Sequence, residues 1–319
     1  MDAFSNNELV SVCMITYNHE AFIAQAIESV MLQRCNFNVE LVIGEDCSTD
    51  NTLSIIKDYC QRYPSRIRLI TSSHNVGMQP NFIRTHQACN GEFIAFIEGD
   101  DYWIDPDKLQ VQVDSLKARP DHVLCFHDAE TFHTVDNSAA WKFSERFSHI
   151  LPPDGAPPQS YTQLDLARWG WFMPTASIIL RTSSLPRPLP EWFAKIHSGD
   201  FTVQLLSTQH GSALYLPKVM SRYRLHAHST TATTSNTLYQ FNSHIYTGHM
   251  FKQHVFKRKN REYADIYLAQ QYGYYAAYLG TKGLRKEQFL NLAKSLFFNR
   301  QRIPLFFKRR IAKILGRTE

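Results

Sequence analysis

The sequence predicts an α/β fold: a mixed, mainly parallel sheet flanked by helices, with a helical extension at the C-terminal end. Two observations predict the sheet. Short apolar runs alternate with segments of helical period through roughly the first 120 residues, which implies parallel strands and right-handed crossovers. Three of these runs end in polar clusters, Thr16-Tyr17-Asn18, Glu45-Asp46 and Asp100-Asp101. In such a sheet the strand C-termini share one edge, which is where open α/β sheets hold their ligands. A third observation sets the extension apart, because from about Thr237 the chain reads as helical to its end.

Residues 9–16 form the first expected strand, followed by a polar turn at Thr16-Tyr17-Asn18-His19. Phe22, Ile23, Ala26, Ile27, Val30 and Met31 then recur at helical spacing. Val39–Ile43 is a second strand, and Gly44–Thr52 is a turn rich in N-cap residues. A helix with Leu53, Ile56 and Tyr59 on one face stops by Pro64. Ile67–Thr71 is a third strand, Asn75-Val76-Gly77 a turn, and a helix runs to Ala88. Phe93–Ile97 is a fourth strand, and Pro106 opens a helix with Leu109, Val113 and Leu116 inward. Beyond residue 121 the rhythm changes. Strands are expected at 122–127, 174–180, 214–216 and 221–226, a Pro-rich loop at 150–160, and a short helix at 201–209.

Composition is that of a globular chain, 44% hydrophobic and 20% charged. No apolar run approaches the roughly 20 residues that span a bilayer. The opening Met1–Glu8 has neither a basic nor a long apolar stretch, so it does not read as a signal peptide. The six cysteines lack any Cys-x-x-Cys spacing, which argues against a zinc site or a disulfide framework and for reduced thiols in a cytoplasmic protein. Net charge is +5, yet residues 281–319 carry eleven Lys or Arg against two Glu, +9, which leaves −4 for residues 1–280. A mildly acidic body with a basic tail is not the layout of a nucleic-acid binder. It suits a surface helix pair or contact with an anionic membrane.

The most informative stretch is residues 93–103, where an apolar strand empties into Glu98, Asp100 and Asp101. Clustered carboxylates repel and must be hydrated, hydrogen-bonded or neutralised by a cation. Carboxylates together with diphosphate oxygens and water suit Mg²⁺ or Mn²⁺. The plain alternative is a solvated turn before a capped helix.

Taken together, these motifs resemble the inverting family-2 glycosyltransferases. Val12–Asn18 is similar to their opening strand, and Glu45–Thr52 to their Asp-Asp-Gly-Ser-x-Asp-x-Thr turn, with Glu and Cys at two positions. Asn75-Val76-Gly77 and Asn90-Gly91-Glu92-Phe93 are similar to spacer motifs, and Glu98–Asp101 with Pro106–Leu109 to the Asp-x-Asp region. The resemblance covers roughly residues 9–230. It implies a GT-A fold, a single Rossmann-like domain over 1–236. Within it, 1–120 would bind the nucleotide sugar and 121–236 the acceptor, with 237–319 a basic helical extension. It implies a metal-dependent enzyme, hexosyltransferase-like, that moves a sugar from a nucleotide-diphosphate donor, UDP-sugar favoured, to an acceptor hydroxyl in bacterial surface polysaccharide synthesis.

The resemblance also distributes roles. Asp46 would read the base by accepting its N3–H, with Thr16, Tyr17 and Asn18 beside it; the alternative for Asp46 is capping the next helix. Relatives often carry a cation near the base, and the candidate here is Arg84. Asp100 would lie near the ribose and Asp101 on Mn²⁺ or Mg²⁺, with Glu98 bonding ribose hydroxyls, an order open to a slip of one residue. Asp200, in Ser198-Gly199-Asp200-Phe201, would be the catalytic base, the alternative being an N-cap. His226, in Tyr223-Arg224-Leu225-His226, would take the metal or a phosphate, and Arg224 the diphosphate. Trp169, Trp171 and Trp192 are candidates to stack on an acceptor sugar, with core packing as the alternative.

Rival chemistries are poorly matched. Residues 9–20 contain no Gly, which excludes the Gly-rich phosphate loops of nucleotidyltransferases and dinucleotide-binding dehydrogenases. The remaining alternative is a non-catalytic nucleotide-sugar-binding scaffold that keeps the fold. Residues 300–315 mix Phe307, Ile311, Ile314 and Leu315 with Lys308, Arg309, Arg310 and Lys313. Such a segment suits peripheral docking on the inner face of the plasma membrane near a saccharide or lipid-linked acceptor. The alternative is packing on the protein body.

Overall fold

The computed structural model describes residues 8–134, 138–226, 229, 237–256 and 260–298. The chain divides into two compact units, Met1–Ser229 and Thr230–Glu319.

In the first unit the alternating elements appear in the expected order: β1 (Leu9–Thr16), α1 (Ile23–Met31), β2 (Asn38–Glu45), α2 (Thr52–Arg62), β3 (Ile67–Ile70), α3 (Met78–Ala88), β4 (Phe93–Glu98), β5 (Tyr102–Trp103) and α4 (Lys108–Lys117). There follow β6 (His122–His133), β7 (Ala139–Lys142), α5 (Phe143–Arg146), β8 (Gln159–Tyr161), α6 (Gln163–Trp169), β9 (Ile179–Arg181), α7 (Gly199–Ser207) and β10 (Ser212–Leu225). All the strands join one sheet in the order β3-β2-β1-β4-β9-β6-β10-β5, with β7 added to β6 and β8 to β10. The long ladders, β1 on β2 and β4 and β6 on β10, are parallel; the antiparallel ladders are short.

Side-chain alternation sets the layers. Val10, Val12 and Met14 of β1 pack with Leu41, Ile43, Ala95 and Ile97 under Ile23, Ile27 and Val30 of α1 and Leu109, Val113 and Leu116 of α4. Helix α3 is different. Its buried positions are Gln79, Asn81, Thr85 and His86, so polar groups mount it on β2. Asn81 Nδ2 donates to Gly44 O (2.8 Å) and Arg84 Nη2 to Glu45 O (2.8 Å). A Cβ at Gly44 would stand 1.8 Å from Thr85 Oγ1, so only glycine permits this approach.

Two segments depart from the expected strands. Residues 175–177 form a 3₁₀ turn, tied by Ser177 Oγ to Pro174 O (2.7 Å), and only Ile179–Arg181 is strand. Here a local side-chain bond competes with the ladder. The two short strands near 214 and 221 are one fourteen-residue strand, β10, whose register shifts around Pro217. Proline cannot donate to the ladder, and a bulge absorbs it.

The second unit holds α8 (Leu238–Met250), a π turn (Phe251–Val255), α9 (Arg261–Thr281) and α10 (Arg285–Phe298). Helices α8 and α9 meet through Phe241 stacked on Tyr275 at 5.3 Å. No described helix is long and apolar enough to cross a membrane. The basic segment 300–315 lies outside the described residues.

Candidate active site

The loops after β1 and β2 are laced together. Asn18 N–H donates to Ser48 Oγ (2.9 Å), and Asn18 Oδ1 accepts from Thr49 N–H (2.8 Å). His19 N–H reaches Thr52 Oγ1 (2.8 Å) and Glu20 N–H reaches Asp50 Oδ2 (3.0 Å). The fully buried Glu45 carboxylate accepts from Cys47 N–H (3.2 Å) and Ser48 N–H (2.6 Å). Both loops contain a non-glycine residue with positive φ, Asn18 at 55° and Cys47 at 60°. Thr16 is buried, whereas the Tyr17 ring is 40% exposed beside it.

Asp46 does not cap α2, whose N-cap position is Asn51; the N–H of its first residue, Thr52, goes to Asp50 Oδ1 at 2.9 Å. The buried Asp46 carboxylate holds the next loop, accepting Val76 N–H (3.0 Å) and Gly77 N–H (2.9 Å), with Arg84 Nη2 at 3.4 Å. Arg84, on α3, is thus the cation beside Asp46.

At the end of β4 the three acids separate. Gly99 lets the strand end close on Thr16 and His19, since a Cβ there would lie 2.5 Å from Thr16 Oγ1. Asp100 Oδ2 faces two imidazoles, His226 Nε2 at 3.0 Å and His19 Nε2 at 3.8 Å. Desolvation pushes the Asp100 carboxyl up, but the His226 hydrogen bond and the two histidines outweigh it and hold it below its ordinary value. Asp101 turns inward: its Oδ1 accepts Arg224 N–H (3.0 Å), and its Oδ2 is buried with no hydrogen-bond partner. Burial first, then the charges of Asp100 and Glu98, raise its carboxyl well above the usual range. The Arg224 guanidinium bonds Gln25 Oε1 and lies over the rings of Phe22 (4.8 Å), Tyr102 (4.9 Å) and Phe132 (5.2 Å).

These groups fit a divalent cation. The orphaned Asp101 oxygen and the mutual repulsion of the acids mark excess negative charge, and hard carboxylate oxygens with an imidazole match Mg²⁺ or Mn²⁺. Among the described residues no three His, Cys, Asp or Glu side chains form a ligand set by themselves. Such ions commonly complete their shell with substrate phosphates and water.

Asp200 sits in the first turn of α7, and Trp171 Nε1–H donates to its Oδ2 at 2.5 Å. Burial raises its carboxyl, against hydrogen bonds from Phe201 N–H and Trp171 that favour the anion. Glu98 links the two acidic regions. Desolvation, then the charges of Asp100 and Asp200, push it up to about 8, against a hydrogen bond with Thr175. The charges of Asp100, beyond the end of β4, and of Asp200, on α7, thus both act on Glu98. A cleft of about 670 Å³, lined by Leu9, Gly91, Arg181 and Arg187 among others, lies at the opposite edge, where β1 and β4 begin.

Comparison with known proteins agrees with this architecture. The sequence pattern of glycosyl transferase family 2 matches residues 11–181. The chain belongs to that family. An uncharacterised protein of Mycobacterium tuberculosis is 33% identical over 69% of this chain, which spans 59% of that relative's length. The Escherichia coli UDP-Glc:alpha-D-GlcNAc-diphosphoundecaprenol beta-1,3-glucosyltransferase WfgD is 29% identical over 72% of this chain and 80% of its own. Among solved structures, S. aureus TarS 1-349 in complex with UDP-GlcNAc shares the fold at TM-score 0.58 and 15% identity, over 97% of this chain and 92% of that one. A mannosyltransferase from Pyrobaculum calidifontis in complex with GDP-Man and Mn²⁺ does so at 0.56 and 14%, over 93% and 88%.

Within this family-2 fold, one residue to which sequence reasoning assigned no role, His19, joins the candidate site, and a second, Trp171, takes a different role there. His19 reaches Asp100, and its signal was its place in the Thr16–His19 turn. Trp171 was read for sugar stacking, whereas the structure hydrogen-bonds its indole to Asp200. Trp192 is packed in the core beside Phe193, while Trp169 is 44% exposed next to His149. The space beside Gly199 is filled by Gln79, whose Nε2 donates to His197 O (2.8 Å).

Proposed function

We propose that this chain is an inverting, metal-dependent glycosyltransferase. It moves a sugar from a nucleotide-diphosphate donor, UDP-sugar by preference, to an acceptor hydroxyl in surface polysaccharide synthesis. The observation that carries this reading is the acidic end of β4, where Asp100 pairs with His226 at 3.0 Å and the buried Asp101 Oδ2 has no hydrogen-bond partner, beside the hydrogen-bonded loops after β1 and β2.

Asp46, Arg84, Thr16, Tyr17 and Asn18 form the base side, with Asn18 acting through the loop tie it makes. Asp100 and His226 would hold Mn²⁺ or Mg²⁺; Asp101, to which the resemblance gives the metal, anchors Arg224 through its backbone N–H and carries in its unpartnered Oδ2 charge that the ion would offset. When bound, the ion neutralises charge on the departing diphosphate. Glu98, held largely neutral near pH 7, can donate to a ribose or sugar hydroxyl. Asp200 takes the proton of the acceptor O–H. The acceptor oxygen bonds the anomeric carbon, that carbon's bond to the diphosphate oxygen breaks, and its electron pair leaves with the nucleoside diphosphate. An α-linked donor then gives a β-linked product.

The nucleotide preference is supported by WfgD, named for UDP-Glc, and by the TarS complex with UDP-GlcNAc; the metal is supported by the Mn²⁺ mannosyltransferase complex. WfgD is named for a diphosphoundecaprenol acceptor, which supports a lipid-linked acceptor here. It also supports a cytoplasmic protein docked on the membrane face through 300–315. Residues 1–120 serve the donor, 121–236 the acceptor, and 237–319 the extension. A screen of nucleotide sugars with Mn²⁺ and mixed acceptors, read as nucleoside diphosphate release, tests the reading. Tight nucleotide binding without turnover would favour a scaffold instead, and full turnover in excess chelator would remove the metal.

A further inference from the structure

Helix α6 and the segment that leads from it to the 3₁₀ turn are fastened to α7 at three points. Gln163 Nε2 donates to Leu205 O (2.9 Å), Gln204 Nε2 to Met173 O (3.2 Å), and Trp171 Nε1 to Asp200 Oδ2 (2.5 Å). The first two tie backbone to side chain along the helix. The third ends on the carboxylate itself. Local sequence dictates how the indole gets there. Gly170, at φ 78°, closes α6 by donating its N–H to Leu166 O (2.9 Å) and turns the chain, so that Trp171 leaves the helix axis. The indole then rests edge-on against the fully buried Phe143, ring centroids 5.5 Å apart at 69°. An indole has one donor and no acceptor, so its N–H can serve only an acceptor such as this oxygen.

We propose that Trp171 is a positioning residue for the transfer reaction: its indole N–H fixes one oxygen of Asp200 and leaves the other to take the acceptor's proton. The inference rests on Asp200 being the base. The argument is geometric. A carboxylate in the first turn of a helix has rotational freedom at its terminal torsion, and a base must be held within hydrogen-bond reach of the proton it removes. A second donor, Phe201 N–H, also reaches Asp200. The titratable group that interacts with it from the sheet is Glu98 of β4, which the charges of Asp200 and Asp100 help to keep in its neutral acid form. The two donors stabilise the anion that must be present before transfer, and the aromatic wall of Phe143 keeps the indole from following the carboxylate into other rotamers.

The test compares Trp171→Phe, Asp200→Asn and the double variant in the full-length protein, using the nucleotide sugar found active. Trp171→Phe keeps a ring against Phe143 and removes the donor. It should lower kcat roughly 10- to 100-fold, the scale of one hydrogen bond to a charged group, with donor Kd unchanged. Removing a bond to the anion favours the acid, so the acidic limb of the pH profile of kcat should move to higher pH. In the Asp200→Asn background the Trp171→Phe change should add almost nothing. The indole proton resonance lost in Trp171→Phe should lie far downfield in the unsubstituted protein and move in Asp200→Asn. If Asp200→Asn turns over normally, the base assignment itself fails. If Asp200→Asn is crippled while Trp171→Phe keeps kcat and its pH limb, or changes only the acceptor KM, the positioning role is overturned and Trp171 is a wall of the acceptor site.

Discussion

The half of the sheet proposed for the donor and the half proposed for the acceptor hold their polar groups by different means. In the donor half, the loops after β1, β2 and β4 are fixed by a mesh of backbone and carboxylate hydrogen bonds, as at Glu45, Asp46, Asp50 and Asn18. In the half proposed for the acceptor, aromatic packing does most of the positioning, with Phe143 against Trp171 and, separately, Phe172 against Phe126 and Tyr161, and Asp200 hangs on a few donors. The contrast teaches where precision comes from. Nucleotide diphosphates present many charged atoms, so a polar mesh can preorganise around them. An acceptor hydroxyl presents one proton, and a single oriented base suffices.

The largest effect should come from breaking the donor side. Asp100→Ala removes the carboxylate between His226 and His19. We expect turnover to fall about 10³-fold, several kcal/mol of lost charge stabilisation, with weaker nucleoside diphosphate binding. Asp101→Asn should cost less turnover, because its work is the Arg224 N–H bond. Titration of Mn²⁺-dependent nucleotide binding in both variants checks the order. The reverse ranking would return the metal to Asp101. Next comes the acceptor side. Asp200→Asn should lower turnover roughly 10²-fold with donor affinity intact. Because burial raises the Asp200 carboxyl, protonation removes the base as pH falls through that raised value, so kcat should drop on the acid side and the limb should vanish in Asp200→Asn.

The same contrast decides what the sequence could disclose. Strands β1 to β4 and their polar ends were legible because each buries a short apolar run and stops at turn chemistry of fixed type. The fourteen residues of β10 looked like two strands, since Pro217 breaks the pattern that the bulged ladder restores in space. Strands β5, β7 and β8 are two to four residues long, too short to show a period. In the site, the acids announced themselves by clustering. Which acid meets His226, and that Trp171 bonds Asp200, depends on pairings 126 and 29 residues apart, and no local spacing encodes those.

A smaller effect tests the polar mounting of α3. His86 is fully buried, both ring nitrogens lack partners, and Phe82 stacks on it at 5.9 Å. Burial, helped by the Arg187 charge, lowers its pKa to about 4. The unfolded chain binds this proton near 6.5, so the unfolded state holds more protons between those values and stability rises with pH there. The stability is complete above about pH 6.5 and is lost as pH falls toward 4. At about 1.4 kcal/mol per pH unit the loss reaches roughly 3 kcal/mol. Urea unfolding at pH 7.5 and 5 should show it, and His86→Leu should flatten the dependence. An unchanged slope in His86→Leu would assign the acid sensitivity to other groups and leave α3 without this vulnerability.

The smallest effect concerns Cys47. The resemblance places glycine at this point of the loop after β2, and the structure gives Cys47 a φ of 60°, the left-handed region that costs an ordinary L-residue about 1–2 kcal/mol. The strain is held by neighbours on both sides: Glu45 accepts the Cys47 and Ser48 N–H groups, and Asn18 bonds Ser48 and Thr49. Cys47→Gly relieves the steric cost but gives the unfolded chain more freedom, worth about 0.5–1 kcal/mol against it. The net expectation is a gain of roughly 0.5 kcal/mol in urea unfolding, with donor binding unchanged, because the mesh rather than the side chain sets the loop. Should Cys47→Gly instead loosen donor binding, the donor half relies on a stiff strained residue as well as on its hydrogen bonds, and the division between a polar mesh on one side and aromatic packing on the other would need redrawing.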